Sequence, residues 1–116
     1  MGSIHRSYIP IPDAADGRFW CIDTACIYSE VLNRRTYHES FDKNVDPPYY
    51  ETAVFKATKL PEECKHEYDV EYDDLDMLKT KNIDEAYENH KKMIEKWSRI
   101  TMEQAEEAQN AERSTI

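Results

Sequence analysis

Only two residues of this chain are glycine, Gly2 and Gly17, so every turn from position 18 onward must be built without one. Glycine enters positive-φ turns freely and lets the backbone approach a ligand closely. Without it, Asn, Asp and Pro are left to make the turns. The glycine-rich phosphate loops and dinucleotide turns used by much nucleotide-dependent catalysis are also ruled out. A chain of 116 residues suits one domain with a modest core, and has no room for separate catalytic and substrate domains.

Turn signals divide the chain into three parts. Residues 1–17 read as an extended N-terminal arm, in which Pro10 and Pro12 hold the path around Ile11 and Asp16-Gly17 makes a turn. Residues 18–98 read as a single α+β domain, and residues 99–116 as a C-terminal helical extension.

Residues 18–31 are rich in strand formers. Alternation would place Phe19, Cys21, Ala25, Ile27 and Val31 on one face, with Trp20, Ile22, Cys26 and Tyr28 on the other. A strand apolar on both sides is expected inside a sheet, covered twice. A polar connection over 32–48 closes with Asp46-Pro47-Pro48, which cannot sit in a ladder. Strand character resumes over 49–58 and breaks at Pro61. From His66 to Asp73 the alternation is strict, with Tyr68, Val70 and Tyr72 opposite Glu67, Asp69, Glu71 and Asp73. Leu75 to Thr80 continues this strand or forms the next.

One helix is strongly specified. Asn82 suits an N-cap, and Glu85 is placed to return a bond to its backbone N–H. Ile83, Ala86, Tyr87, His90, Met93, Ile94 and Trp97 then recur at the spacing of one buried stripe. Over 101–113 only Met102, Ala105 and Ala108 form a stripe, too little to stabilise a short helix without a partner.

The expected fold is therefore α+β. It has a three- or four-stranded antiparallel sheet, one amphipathic helix packed on one face, and a marginal C-terminal helix. The expected core is Phe19, Trp20, Ile22, Ile27, Val54, Phe55, Val70, Tyr72, Tyr87, Met93, Ile94 and Trp97. The sheet's second face needs a cover: the arm, the C-terminal helix, or a second subunit in a homodimer.

Catalytic and metal signals are sparse. Cys21, Cys26 and Cys64 lack zinc-type spacing and read as free thiols, consistent with a reducing cytoplasm. His5, His38, His66 and His90 are scattered, and His90 reads as a hydrogen-bonded core-edge residue. His38-Glu39-Ser40 are consecutive and cannot converge as a triad does. Asp23, inside an apolar strand, reads either as a buried acid of functional interest or as the partner of a basic residue. No cofactor is expected.

Charge is the most unusual feature. Acids number 24 against 15 Lys and Arg, for a net −9. Glu62, Glu63, Glu67, Asp69, Glu71, Asp73, Asp74 and Asp76 face only Lys65 within 62–76, so most of the excess lies there. Such a surface repels a nucleic-acid backbone. It reads either as a solvated sheet face guarding an edge strand or as a surface for a basic protein partner. As a duplex mimic one row is too sparse: alternate strand residues place a charge every ~6.6 Å, against ~1.7 Å along DNA. No stretch approaches the ~20 apolar residues of a spanning helix, and the first residues lack the apolar region of a secretory signal. A membrane role is not expected, and the expected location is a cytoplasm.

Three ordered stretches carry a resemblance: Trp20-Cys21-Ile22-Asp23-Thr24, Tyr50 to Phe55 (YETAVF), and Asn82 to Trp97 ending HKKMIEKW. Together they resemble small proteins encoded by tailed bacteriophages and prophages, with W-x-x-D-T and E-T-x-V-F strands and an H-x-x-M-[VI]-x-x-W helix. The likeness spans residues 19–98. The chain departs from it in the 32–48 connection, the acidic run and the C-terminal extension. The resemblance implies a phage origin and the host cytoplasm, and transfers no catalytic residue. The leading expectation is a non-catalytic accessory protein that binds a basic surface, such as an inhibitor of a host defence or nucleic-acid enzyme (anti-CRISPR or anti-restriction type). Alternatives are a structural or assembly component of a phage particle, and a small metal-dependent hydrolase using Asp23.

Overall fold

A computed structural model describes residues 2–14, 17–27 and 48–114 of the chain. The strand that is apolar on both faces, β2 (Arg18–Ile27), lies inside a four-stranded sheet. It is flanked by β1 (Gly2–Pro10) and β3 (Tyr49–Lys59), and β4 (Tyr68–Thr80) completes the antiparallel order β1-β2-β3-β4. Helix α1 (Ile83–Trp97) and helix α2 (Met102–Ser114) follow. The expected α+β class with an antiparallel sheet and one packed helix is what forms. Tyr28, Val31, most of the 32–48 connection and His38-Glu39-Ser40 lie outside the described residues.

The segment read as an arm is a strand. Its residues Gly2 to Pro10 pair with Cys26 to Phe19, slipping once at Ile4. Pro10 is tolerated because β1 is an edge strand. The return to β2 passes through Gly17, whose φ of +89° is the left-handed backbone that only glycine enters cheaply. Gly17 accepts there from the Lys59 N–H at 2.7 Å, tying the turn to β3.

Registers across the sheet sort side chains onto two faces. His5, Thr24, Thr52 and Leu78 form one transverse row, and Ser7, Ile22, Val54 and Asp76 the next. Helix α1 lies over these rows. Its buried residues Ala86, Asn89, His90, Met93 and Trp97 keep the predicted helical spacing. The Asn82 side chain caps α1 by accepting from the Glu85 N–H at 3.0 Å. The expected return bond is replaced: the Asn82 N–H donates to the Thr80 hydroxyl at 3.1 Å.

Ile11, Trp20, Ile22, Val54, Met93, Trp97 and Ala105 form the main core. Trp20 and Trp97 meet edge to face with centroids 5.0 Å apart, a geometry worth ~0.5–1.5 kcal/mol beyond area burial. The marginal α2 finds its partner in the same chain. Ala105 enters the core, and the Trp20 indole donates to the Ile100 carbonyl at 3.0 Å. Asp13 accepts from the Met102 N–H at 2.8 Å. Thr101 and Gln104 cap each other, the Gln104 N–H on the Thr101 hydroxyl and the Thr101 N–H on the Gln104 amide oxygen.

Two expected core residues are on the surface: Tyr72 is 66% exposed and Tyr87 42%. Phe19, Phe55, Val70 and Ile94 are only half-buried. Buried positions outside the expected core set include Ile11, Cys21, Thr24, Tyr49, Thr52, His90 and Ala105. The displacement of Tyr72 has a local cause. Val54 pairs with Asp76 but Lys56 with Glu71, so residues 72–75 stand opposite Phe55 alone. This irregularity bends β4 and turns Tyr72 over the sheet's second face.

Candidate functional site

The face of the sheet away from α1 is built from three further rows. Ser3, Ala25, Glu51 and Lys79 make one; Arg6, Asp23, Ala53 and Met77 the next; Tyr8, Cys21 and Phe55 a third. Small residues at the centre (Ala25, Ala53) and long ones at the edges give this face a concave section. Its edges also reach across. Tyr8 of β1 stacks on Tyr68 of β4 with centroids 3.8 Å apart and planes 7° from parallel, and Phe19 meets Tyr68 edge-on at 5.4 Å. Strands at opposite ends of the order touch, so the sheet is curled. Part of the cover, for which the arm, the C-terminal helix and a second subunit are the expected candidates, comes from the aromatic side chains of the sheet itself.

The result is a concavity of about 490 Å³ whose lining includes Arg6, Asp23, Glu51, Phe55, Tyr72 and Asp74. Arg6 organises it. Its Nε donates to Asp23 Oδ1 at 3.3 Å, and its Nη1 to the hydroxyls of Tyr8 at 3.5 Å and Tyr72 at 3.4 Å. The guanidinium lies 5.9 Å from the centroid of the Tyr72 ring. Burial alone would lower the Arg6 pKa, but the bonds to Asp23, Tyr72 and Tyr8 outweigh it and raise the value, so Arg6 is a permanent cation. Asp23 thus follows the second of its two readings, as the partner of a basic residue, with its side chain 12% exposed.

Glu51 accepts from the Tyr49 hydroxyl at 3.1 Å and stands 3.9 Å from the Lys79 ammonium. Asp74 is exposed on the rim and forms no ion pair among the described residues. Cys21 is buried beneath Tyr8, and burial pushes its thiol up to about 11, against the pull of Arg6. It is held as the neutral thiol and packs as a small apolar group. Cys26 and Cys64 are likewise free.

On the helix side, His90 is 1% exposed and bridges α1 to the sheet. Its Nε2 is 2.9 Å from the Ser7 hydroxyl and its Nδ1 2.8 Å from that of Thr24, which contacts Thr52 at 2.8 Å. The His5 ring lies 4.2 Å away. Burial, aided by repulsion from His5, lowers the His90 pKa to about 4, so the ring is neutral near pH 7. This is the hydrogen-bonded core-edge histidine that the sequence suggested.

The acidic run divides. Glu62 and Glu63 lie in the turn before β4, and Glu67 at its threshold. Asp69 and Glu71 stand opposite Thr58 and Lys56, which places them on the α1 side of the sheet. Asp73 and Asp74 belong to the irregular 72–75 segment, and Asp74 borders the concavity on the opposite face. Asp76 is committed internally: Lys96 Nζ donates to it at 2.7 Å and the Trp97 indole at 3.0 Å. Burial alone would raise the Asp76 pKa, but those two donors outweigh it and hold the carboxyl below its usual range. The other seven carboxylates are exposed and form no ion pair among the described residues. A second hollow, about 410 Å³, runs beside Glu67 and Asp69 and shares Arg6 and Tyr72 with the first.

What sequence reasoning missed is the concave face. Arg6 and Tyr72 are 66 positions apart, and no local spacing signals their meeting. Among the described residues no three His, Cys, Asp or Glu side chains are grouped to hold a metal ion, and no helix is long and apolar enough to cross a membrane. Compared with family models, with curated proteins and with solved structures, the chain matches none.

Proposed function

We propose that this chain is a non-catalytic accessory protein that binds a basic surface on a protein partner through the carboxylates of β4 and its leading turn. One observation carries the reading. Seven of the eight acids in that run are exposed and form no ion pair among the described residues, while Asp76 is paired with Lys96. Charges left uncompensated on an edge strand discourage pairing with another strand. A partner would therefore engage the side chains, and attraction would set its rate of encounter and its salt dependence. The resemblance of the three sequence motifs to those of small phage and prophage proteins favours a phage-type origin. Within that setting, a host defence or nucleic-acid enzyme with a basic site is the partner class of choice.

The test is capture from host lysate at low salt and near 1 M salt, where the screening length falls to ~3 Å. It is repeated with a Glu67→Lys, Asp69→Lys, Glu71→Lys variant. Basic proteins should be retained by the native chain at low salt only, and lost by the variant. Capture that ignores both salt and charge reversal would rule the mechanism out. A second reading, self-association as an assembly component or homodimer, is supported by Ile83 and Tyr87. These are neighbours one turn apart on α1, 45% and 42% exposed. A sedimentation profile that stays monomeric on concentration would dispose of it.

A further inference from the structure

We propose that the concave face of the sheet is a receptor for one guanidinium side chain, an arginine of the basic partner, seated against Phe55 and Tyr72 beneath the Asp74 rim. This rests on the binding reading above and names the chemistry by which the partner is held. The volume, about 490 Å³, falls in the ~300–1,000 Å³ span of small-ligand sites.

The face already displays how it treats such a group. The guanidinium of Arg6 is bonded by the Asp23 carboxylate and by two tyrosine hydroxyls, and lies near the Tyr72 ring. Carboxylate and aromatic ring together are the partners a guanidinium prefers. What remains open beside Arg6 repeats that pairing. Phe55 and Tyr72 meet edge to face at 5.2 Å, and Asp74 stands at the margin.

Charge selects the sign of the occupant. Asp23 is matched by Arg6 and Glu51 is approached by Lys79, which leaves Asp74 as the charge of the lining that forms no ion pair among the described residues. An anion would meet a net negative wall, and Arg6 has already directed Nε and Nη1 inward to Asp23, Tyr8 and Tyr72. Arginine is favoured over lysine because a planar fork can stack on a ring while pairing with a carboxylate. The route in is continuous with the acidic ribbon: Arg6 and Tyr72 border both this concavity and the hollow beside Glu67 and Asp69. A basic segment lying along β4 is thereby led to the pocket.

The test is a titration of the full, nitrogen-15-labelled chain with N-acetyl-arginine amide, with the neutral isostere N-acetyl-citrulline amide as comparison. Saturable shifts are expected at the amides of Ala25, Ala53, Phe55, Tyr72 and Met77. Citrulline should bind about tenfold more weakly, the effect of losing one charge-assisted contact. Asp74→Asn and Tyr72→Ala should each weaken arginine binding several-fold. Both residues are exposed, so an unchanged circular dichroism spectrum is expected alongside. Equal shifts by citrulline, shifts confined to residues 62–71, or full binding by Asp74→Asn would overturn the proposal. The two readings separate cleanly. Arginine amide still saturating the concavity of the Glu67, Asp69, Glu71 variant supports the pocket by itself. Salt-sensitive partner capture without any arginine amide binding overturns the pocket and leaves the ribbon standing.

Discussion

Acidification should destabilise this protein in a window assigned to one side chain, His90. The ring is buried and neutral, with its pKa lowered from 6.5 to about 4. In the unfolded chain the imidazole takes up its proton near 6.5, well before the folded protein can. As pH falls below 6.5 the unfolded state is therefore favoured, and the loss continues until the folded pKa is reached, where it levels off. A shift of about 2.5 pH units at 1.36 kcal/mol each amounts to ~3 kcal/mol, of which ~2.5 is already lost by pH 4.5. The Ser7 and Thr24 hydroxyls can both rotate to accept from the imidazolium, so the penalty comes from burying charge rather than from a broken bond. His5 adds to it by repulsion, and Asp23 partly offsets it. The depressed carboxyl of Asp76 acts at lower pH: its contribution is present above the ordinary carboxylate range and is lost only below it. Urea denaturation followed by Trp fluorescence at pH 7.5, 6.5, 5.5 and 4.5 measures the effect. His90→Gln, uncharged throughout, should be less stable at pH 7.5 yet show a flatter profile between 6.5 and 4.5. Parallel profiles for the two proteins would refute the assignment.

Two further perturbations test how the helices are tied to the sheet. Asp76→Ala removes the acceptor of Lys96 and of the Trp97 indole and should cost about 1–3 kcal/mol. Asp76→Asn should cost less, since an amide oxygen still accepts from the indole, and urea midpoints of the two variants provide the comparison. Thr101→Ala deletes the cap of α2 and should cost about 0.5–2 kcal/mol. Faster amide hydrogen exchange over 102–108 would report the fraying directly.

Some of this protein was readable along the chain because the information is local. The α1 stripe and its Asn82 cap depend on residues within one or two turns of each other, so periodicity finds them. The interior position of β2 follows from its two apolar faces. The Gly17 turn follows from the one residue that enters that backbone cheaply. The reading of His90 succeeded because a polar residue on a buried stripe must find partners. The N-terminal strand was missed because its prolines mask it: Pro10 rules out a central strand but not an edge. That α2 needs a partner is readable from its short apolar stripe, but which partner is not. Its anchors, Trp20 on the Ile100 carbonyl and Asp13 on the Met102 N–H, come from the other end of the chain.

The eight-acid run shows the division between sequence and tertiary structure most clearly. Composition alone determines that residues 62–76 carry most of the excess negative charge, because counting carboxylates needs no coordinates. Only the folded chain decides which of them remain available. A lysine and an indole on α1 neutralise Asp76, and the irregular pairing opposite Phe55 carries Asp74 to the concave side while Asp69 and Glu71 stay on the other. The same applies to the pocket: Asp23 stands out in the sequence as an acid inside an apolar strand, but Arg6 and Tyr72 are brought to one site with it and Phe55 only when the sheet curls. Charge and periodicity are properties of the chain, whereas a binding surface depends on distances between residues remote in sequence, and those distances exist only after strand registers are set.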